Sequence, residues 1–322
     1  MLRINQSQHA AAAKSYYTSS DYYVDGQELP GVWRGKGAEK LGLAGEIPRA
    51  DWDAICDGLN PKTGEKLLQR RKDNRTSGYD FNFHVPKSVS VLYAMTRDER
   101  ILGTFKESVD ATMRDIESEM QTRVRKDGRN EDRVTGNMVW GEFVHFTSRP
   151  VDGIPDPHLH AHCFVVNITH DDQEKAWKAG QFRELKRDAP YFEAMFHSRF
   201  ARKLADLGLP VERTRSGWEI AGVARSLVEK FSRRKLLIDE TARAMGIEDP
   251  AEKAELGAKT RNRKVKDLTL GELQAEWRSR MTEGEADTVD RLAKHRGGPA
   301  AILDPQAPQP AMEYAIGHEF ER

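Results

Sequence analysis

The chain has few cysteines, no long apolar run and no excess of charge of either sign. Its 322 residues include two cysteines, Cys56 and Cys163. That is too few for a disulfide framework and fits a reducing compartment, so a cytoplasmic location is expected. No apolar stretch approaches the length of a membrane span, and the N-terminus lacks the apolar core of a signal peptide; membrane insertion is not expected. Lysine plus arginine (51) balance aspartate plus glutamate (51). No global field therefore draws the chain to a polyanion, and such a site has to come from local patches. The chain does have length enough for one large domain or two small ones with a sizeable core. It is polar, with 32% charged residues and a mean hydropathy of −0.72.

Against this background one stretch stands out: Pro155-Asp156-Pro157-His158-Leu159-His160-Ala161-His162-Cys163-Phe164-Val165-Val166-Asn167-Ile168. The prolines argue against a helix, and the β-branched run after them reads as a buried strand. Side chains alternate faces along a strand, so His158, His160 and His162 point the same way. Imidazoles at this spacing suit a divalent metal, although a solvated histidine cluster has the same pattern. Upstream, Asn137 to Phe146 also alternates and puts His145 on one face with Val139, Gly141 and Phe143. Ser148 to Pro157 reads as a hairpin connection, which makes the two strands antiparallel and brings His145 toward His160 and His162. Four histidines thus compete for a three-ligand site.

The second unusual feature is a double tyrosine pair, Tyr16-Tyr17 and Tyr22-Tyr23, four of the eight tyrosines within eight residues. It follows a short alanine-carried helix at 8–17. Tyrosines are often ordinary packing residues, but phenols can also serve as nucleophiles. Asp80-Phe-Asn-Phe-His-Val85 alternates, with Phe81, Phe83 and Val85 toward the core and Asp80, Asn82 and His84 on the other face. Pro86 then opens a helix over 87–95, so Lys87 lies near a helix N-terminus, where anions are favoured. A basic run at 70–75 contains Arg71 and Arg75. These two, with Lys87 and Lys178 of the short strand 176–180, are candidate phosphate contacts. The glycine-rich segment at 31–42 lacks the spacing of a nucleotide-binding P-loop.

The remaining elements are scaffold. Helical spacing runs over 103–126, ending near Gly128, and over 48–60 and 191–207; a last short strand spans 217–222. Residues 225–266 hold 12 basic and 7 acidic side chains, a local excess of 12 − 7 = 5, which can reach over a polyanion. Residues 297–310 are a linker by composition. Met312 to Arg322 stops in mid-helix, so the chain is expected to be cut from a longer protein.

Together these parts suggest phosphoryl transfer. A divalent ion on neutral imidazoles can polarise a phosphodiester oxygen. A phenol, with a pKa of about 10, needs a base or a stabilised transition state to attack at neutral pH. Asp80 is placed to orient a histidine or to take the phenol proton. Attack by tyrosine leaves a covalent phosphotyrosine that can be reversed, which hydrolysis does not.

The tyrosine double pair, Gly78-Tyr-Asp-Phe-Asn-Phe-His-Val-Pro-Lys-Ser-Val-Ser90, His145-Phe-Thr-Ser-Arg149 and Leu159-His-Ala-His-Cys-Phe-Val-Val-Asn167 resemble, in order, the N-terminal domain of MobF-type conjugative relaxases of the F-plasmid kind, which are HUH endonucleases. The resemblance implies an α+β fold with a central antiparallel sheet, a palm-like active face, helices behind it and a C-terminal helical flap. It implies a relaxase unit at 1–295, with 225–295 the flap and 296–322 a linker and the start of a helicase-like region. Tyr16 would nick single-stranded DNA at the plasmid transfer origin, and Tyr17, Tyr22 and Tyr23 complete the set, with Tyr22 serving a second strand transfer. His145, His160 and His162 would be the ligands of a divalent ion, Mg2+ or Mn2+, and His158 a bystander. Implied partners are relaxosome accessory proteins and a type IV secretion coupling protein. The implied location is the donor-cell cytoplasm, with transfer into the recipient. Two other readings remain: a single-strand-binding module with structural histidines and base-stacking tyrosines, and a metal-dependent phosphoesterase.

Overall fold

The computed structural model describes residues 2–7, 11, 13–14, 30–68, 76–215, 217–249, 252–253, 256–257 and 268–294. Strands are β1 (Arg3–Ser7), β2 (Val32–Arg34), β3 (Gly78–His84), β4 (Gln121–Lys126), β5 (Arg129–Val134), β6 (Trp140–Thr147), β7 (Pro157–Val166), β8 (Thr169–Asp171), β9 (Ala176–Lys178), β10 (Gly180–Gln181), β11 (Val211–Thr214) and β12 (Gly217–Ile220). Helices are α1 (Lys36–Lys40), α2 (Arg49–Cys56), α3 (Lys87–Thr96), α4 (Glu99–Ser118), α5 (Arg183–Arg187), α6 (Ala189–Asp206), α7 (Arg225–Lys230), α8 (Arg233–Ala244), α9 (Leu270–Ser279) and α10 (Glu283–Ala293).

The central sheet has the order β1-β3-β7-β6-β2, and every neighbouring pair is antiparallel. Strand β7 is therefore interior, with its backbone paired on both sides. Its two faces are covered differently. One carries Phe81, Phe83, Ala161, Cys163 and Val165 into the main core, where α4 and α6 add Phe105, Val109, Phe196 and Phe200. The other carries Phe164 and Val166 into a smaller cluster with Trp33, Trp52, Ile55 and Val139. Alternation in β3, β6 and β7 thus leaves a polar stripe of histidines on the thinly covered face.

The sequence reading of α4 ran too far. The helix starts at Asp98, whose side chain accepts from the Arg100 N–H, and ends at Ser118. Met120 and Val124 follow the spacing of the helix, but residues 121–134 form a hairpin. Its turn, Asp127-Gly128, has φ of 49° and 78°, the left-handed pair that matches strand twist and that Asp-Gly supplies. Helical and strand periods coincide over a few residues, so the turn dipeptide was the better signal.

Among the described helices between 225 and 293, α7, α9 and α10 join the main core through Leu227, Leu273, Trp277 and Val289, with Phe231 just after α7. Side chains of this region grip the segment that leads into β7. Asp156, 2% exposed, accepts from Arg233 Nε and Arg280 Nη1, both at 2.9 Å, and from the Arg233 backbone N–H at 3.1 Å. Trp277 Nε1 donates to the Pro155 carbonyl at 2.8 Å. Part of the basic excess in this region is thus neutralised inside the protein.

Glu142 on β6 is a buried acid, 3% exposed, with Arg34 Nη2 at 3.7 Å. Burial pushes its carboxyl up, and Arg34 offsets only part of that. A carboxyl with a raised folded pKa keeps its proton after the unfolded chain has lost it, so stability falls as pH rises between the two values. Glu142→Gln removes this slope: urea unfolding across that window should show the variant gaining on the parent with rising pH. A pH-independent difference would assign Glu142 no such role.

Candidate metal and strand-transfer site

The register of the sheet assembles the site. His160 stands opposite His84 on β3 and opposite His145 on β6. His162 stands opposite Asn82 and Phe143. The ring centres of His145, His160 and His162 form a near-equilateral triangle with sides of 5.3, 5.3 and 5.1 Å. All three are buried, at 6%, 6% and 5% exposure. The sequence-derived set of Asp80, His145, His160 and His162 therefore meets at one place, and the third histidine comes from the neighbouring strand.

Hydrogen bonds orient two of these rings. His162 Nδ1 lies 2.9 Å from Asp80 Oδ2, and His160 Nδ1 lies 2.8 Å from the His158 carbonyl oxygen. Both oxygens can only accept, so each Nδ1 donates, and in the neutral ring Nε2 is then the nitrogen with the lone pair. This is the arrangement of metal-ligating histidines generally, whose other nitrogen donates to a carboxylate or carbonyl. Burial, reinforced by the nearby His162, lowers the His160 pKa to about 3, so this imidazole is neutral at physiological pH. Among the described residues no group of three His, Cys, Asp or Glu side chains is placed to hold a metal ion as the side chains stand. The donor set fits a divalent ion.

His158 lies beside His160, with ring centres 4.6 Å apart, and also meets His84. Its Nε2 lies 3.1 Å from His84 Nδ1, and burial lowers both pKa values well below the ordinary histidine range. His84 was legible only as a member of the Asp80-Asn82-His84 face, and its contact with His158 needed the register of β3 against β7. Lys87 Nζ donates to the Pro157 carbonyl at 2.7 Å, and burial lowers its pKa to about 8. Ser90 Oγ accepts from the Leu159 N–H at 3.1 Å, while Ser88 Oγ accepts from the Ile220 N–H at 2.8 Å. The Pro-Lys-Ser-Val-Ser motif thus clasps the first residues of the histidine strand. Lys178 is held by Asp171 at 3.2 Å and Glu174 at 2.6 Å. Tyr16, Tyr17, Tyr22, Tyr23, Arg71 and Arg75 lie outside the described residues.

A sheet with this register, bearing three facing histidines and an aspartate behind one of them, invites comparison with known proteins. The model of the TrwC relaxase family matches residues 10–284. The chain belongs to that family. Multifunctional conjugation protein TraI of Escherichia coli (strain K12) is 32% identical over 343 residues, covering 100% of this chain and 19% of the relative. A second Escherichia coli TraI is 32% identical over 325 residues, covering 97% of this chain and 18% of the relative. The chain therefore spans about a fifth of the length of these relatives. Among solved structures, conjugative relaxase TrwC in a metal-bound complex with oriT DNA superposes with a TM-score of 0.77 at 29% identity, covering 87% of this chain and 97% of that one. TrwC with a 27-mer DNA comprising the recognition hairpin and the cleavage site superposes with a TM-score of 0.76 at 27% identity, covering 90% and 99%. The α+β palm-like HUH fold and the MobF resemblance read from the motifs are both borne out.

Proposed function

We propose that the chain nicks single-stranded DNA at a plasmid transfer origin by tyrosine transesterification and later reseals it. The observation that carries this reading is the His145–His160–His162 triangle with Asp80 behind His162, in a family whose solved member is bound to oriT DNA with metal. His145, His160 and His162 hold the divalent ion, Mg2+ or Mn2+ in the cell; when bound it supplies positive charge to the phosphoryl oxygen. The Tyr16 oxygen attacks phosphorus, the bond from phosphorus to the 3′ oxygen breaks, and the 5′ strand stays on the enzyme. The phenol proton leaves to a base, and the departing 3′ oxygen takes one up. Asp80 acts by orienting His162, which its hydrogen bond supports over direct removal of the phenol proton. Tyr22 serves the second transfer, with Tyr17 and Tyr23 completing the set.

Residues 1–295 form the relaxase unit, with the helices of 225–295 as its flap, and its location is the bacterial cytoplasm. Arg71 and Arg75 are phosphate contacts; Lys87 and Lys178 are engaged with protein oxygens and would have to exchange these for phosphate. Accessory and coupling proteins remain proposed partners. The test is incubation with Mn2+ and single-stranded oligonucleotides tiling the transfer origin of the plasmid that carries the gene. A covalent adduct resistant to denaturation is expected from the parent chain and none from Tyr16→Phe. Binding without an adduct on any oligonucleotide would favour the single-strand-binding module, and cleavage without an adduct the phosphoesterase.

A further inference from the structure

The chain just ahead of the tyrosine pairs is fastened to the fold at a point outside the histidine site. Ala13, 1% exposed, packs in the smaller cluster with Trp33, Trp52 and Phe164, on the face of the sheet that bears the imidazoles. Lys14 follows, and its Nζ reaches Asp57 Oδ2 at 2.6 Å. Asp57 caps the C-terminal end of α2, whose Trp52, Ile55 and Cys56 are buried. The other acids of this helix are paired elsewhere: Asp53 with Arg49 at 2.9 Å and Asp51 with Lys62 at 3.0 Å. Asp57 alone among the three reaches across 43 positions of sequence. The two side chains are 26% and 34% exposed, a partly sheltered pair whose value for stability is small. Its geometric consequence is larger. Tyr16 lies two residues beyond Lys14, a contour of at most about 7 Å.

We infer that Asp57 is a positioning residue for strand transfer: its carboxylate holds Lys14, two residues ahead of Tyr16 in the sequence, and so limits where the nucleophile can be carried. The inference rests on the proposed strand-transfer reaction. In-line attack demands reacting atoms about 3–3.5 Å apart, and small misplacements are costly in rate. Loosening this anchor should therefore lower the rate of the chemical step while leaving the contacts that grip DNA and metal intact.

Two readouts test it on the full chain. With Mn2+ and the tiled transfer-origin oligonucleotides, Asp57→Asn should lower kcat for adduct formation roughly ten- to hundredfold, with KM and metal affinity unchanged. The charge swap of Lys14→Asp with Asp57→Lys should recover most of that loss. An unchanged kcat, a loss confined to KM, or a swap no better than the single variant overturns the inference. The second readout needs no substrate: trypsin should cut after Lys14 severalfold faster in Asp57→Asn than in the parent, at an unchanged thermal midpoint. Equal cutting overturns the anchor itself, whatever the reaction does. A parent chain that protects Lys14 but forms no adduct on any oligonucleotide sinks the strand-transfer reading, and the role of Asp57 with it.

Discussion

Replacing His162 by alanine should remove divalent-metal binding and slow strand cleavage by about three orders of magnitude. The reasoning starts from charge: an ion at the phosphoryl oxygen contributes several kcal/mol of transition-state stabilisation, and each 1.4 kcal/mol or so is a factor of ten in rate. With one of three imidazoles gone from the triangle, the remaining two hold the ion too weakly to supply it. Asp80→Asn is milder. The amide can still accept from His162 Nδ1 but without the negative charge that favours the bound cation, so metal affinity should fall roughly 10–100-fold. His158→Ala provides the contrast. His158 touches His160 through its backbone carbonyl, which alanine keeps, and through its ring, with centres 4.6 Å apart, which alanine removes; as a non-ligand its loss should leave metal affinity close to that of the parent. Calorimetric titration with Mn2+ separates the three variants. Loss of binding in His158→Ala and retention in His162→Ala would invert the assignment of ligand and bystander.

Asp156→Ala should be among the most destabilising single substitutions in the described part of the chain. The carboxylate is 2% exposed, against guanidinium side chains 26% and 17% exposed at Arg233 and Arg280. Removing it leaves Arg233 without its carboxylate partner, Arg280 with only Glu276 at 3.2 Å, and one backbone N–H without its acceptor. Breaking a buried pair in this way costs about 3–5 kcal/mol, a large part of the stability of an ordinary domain. Asp156→Asn keeps an acceptor and should cost less. Because Asp156 precedes β7, its loss should also loosen the entry to the histidine strand. Chemical denaturation followed by tryptophan fluorescence measures the first effect, and a drop in Mn2+ affinity at a temperature where the variant is still folded measures the second. A cost under about 1 kcal/mol, as for a surface pair, would refute the account.

Most scaffold elements were legible because their physical causes are local. Strand β3 shows alternation, α3 opens with Pro86, and α6 shows an apolar stripe. The hairpin at 121–134 was missed because its apolar residues, Met120 and Val124, also fit the preceding helix. Strand β2 was hidden in a glycine-rich segment, and its place at the sheet edge depends on pairing with β6. Asp156 gave no sequence signal at all, since an aspartate between two prolines reads as an ordinary turn.

The sequence by itself determined which side chains share a face. His158, His160 and His162 on one strand, and Asp80, Asn82 and His84 on another, follow from a backbone period of two that no tertiary context changes. Tertiary structure alone decided which of these residues meet. Placing β7 between β3 and β6, in a register set by both neighbours, put His145 and His162 around His160, gave Asp80 to His162 and gave His84 to His158. Pairing register is a property of two strands at once, so no single stretch of sequence contains it.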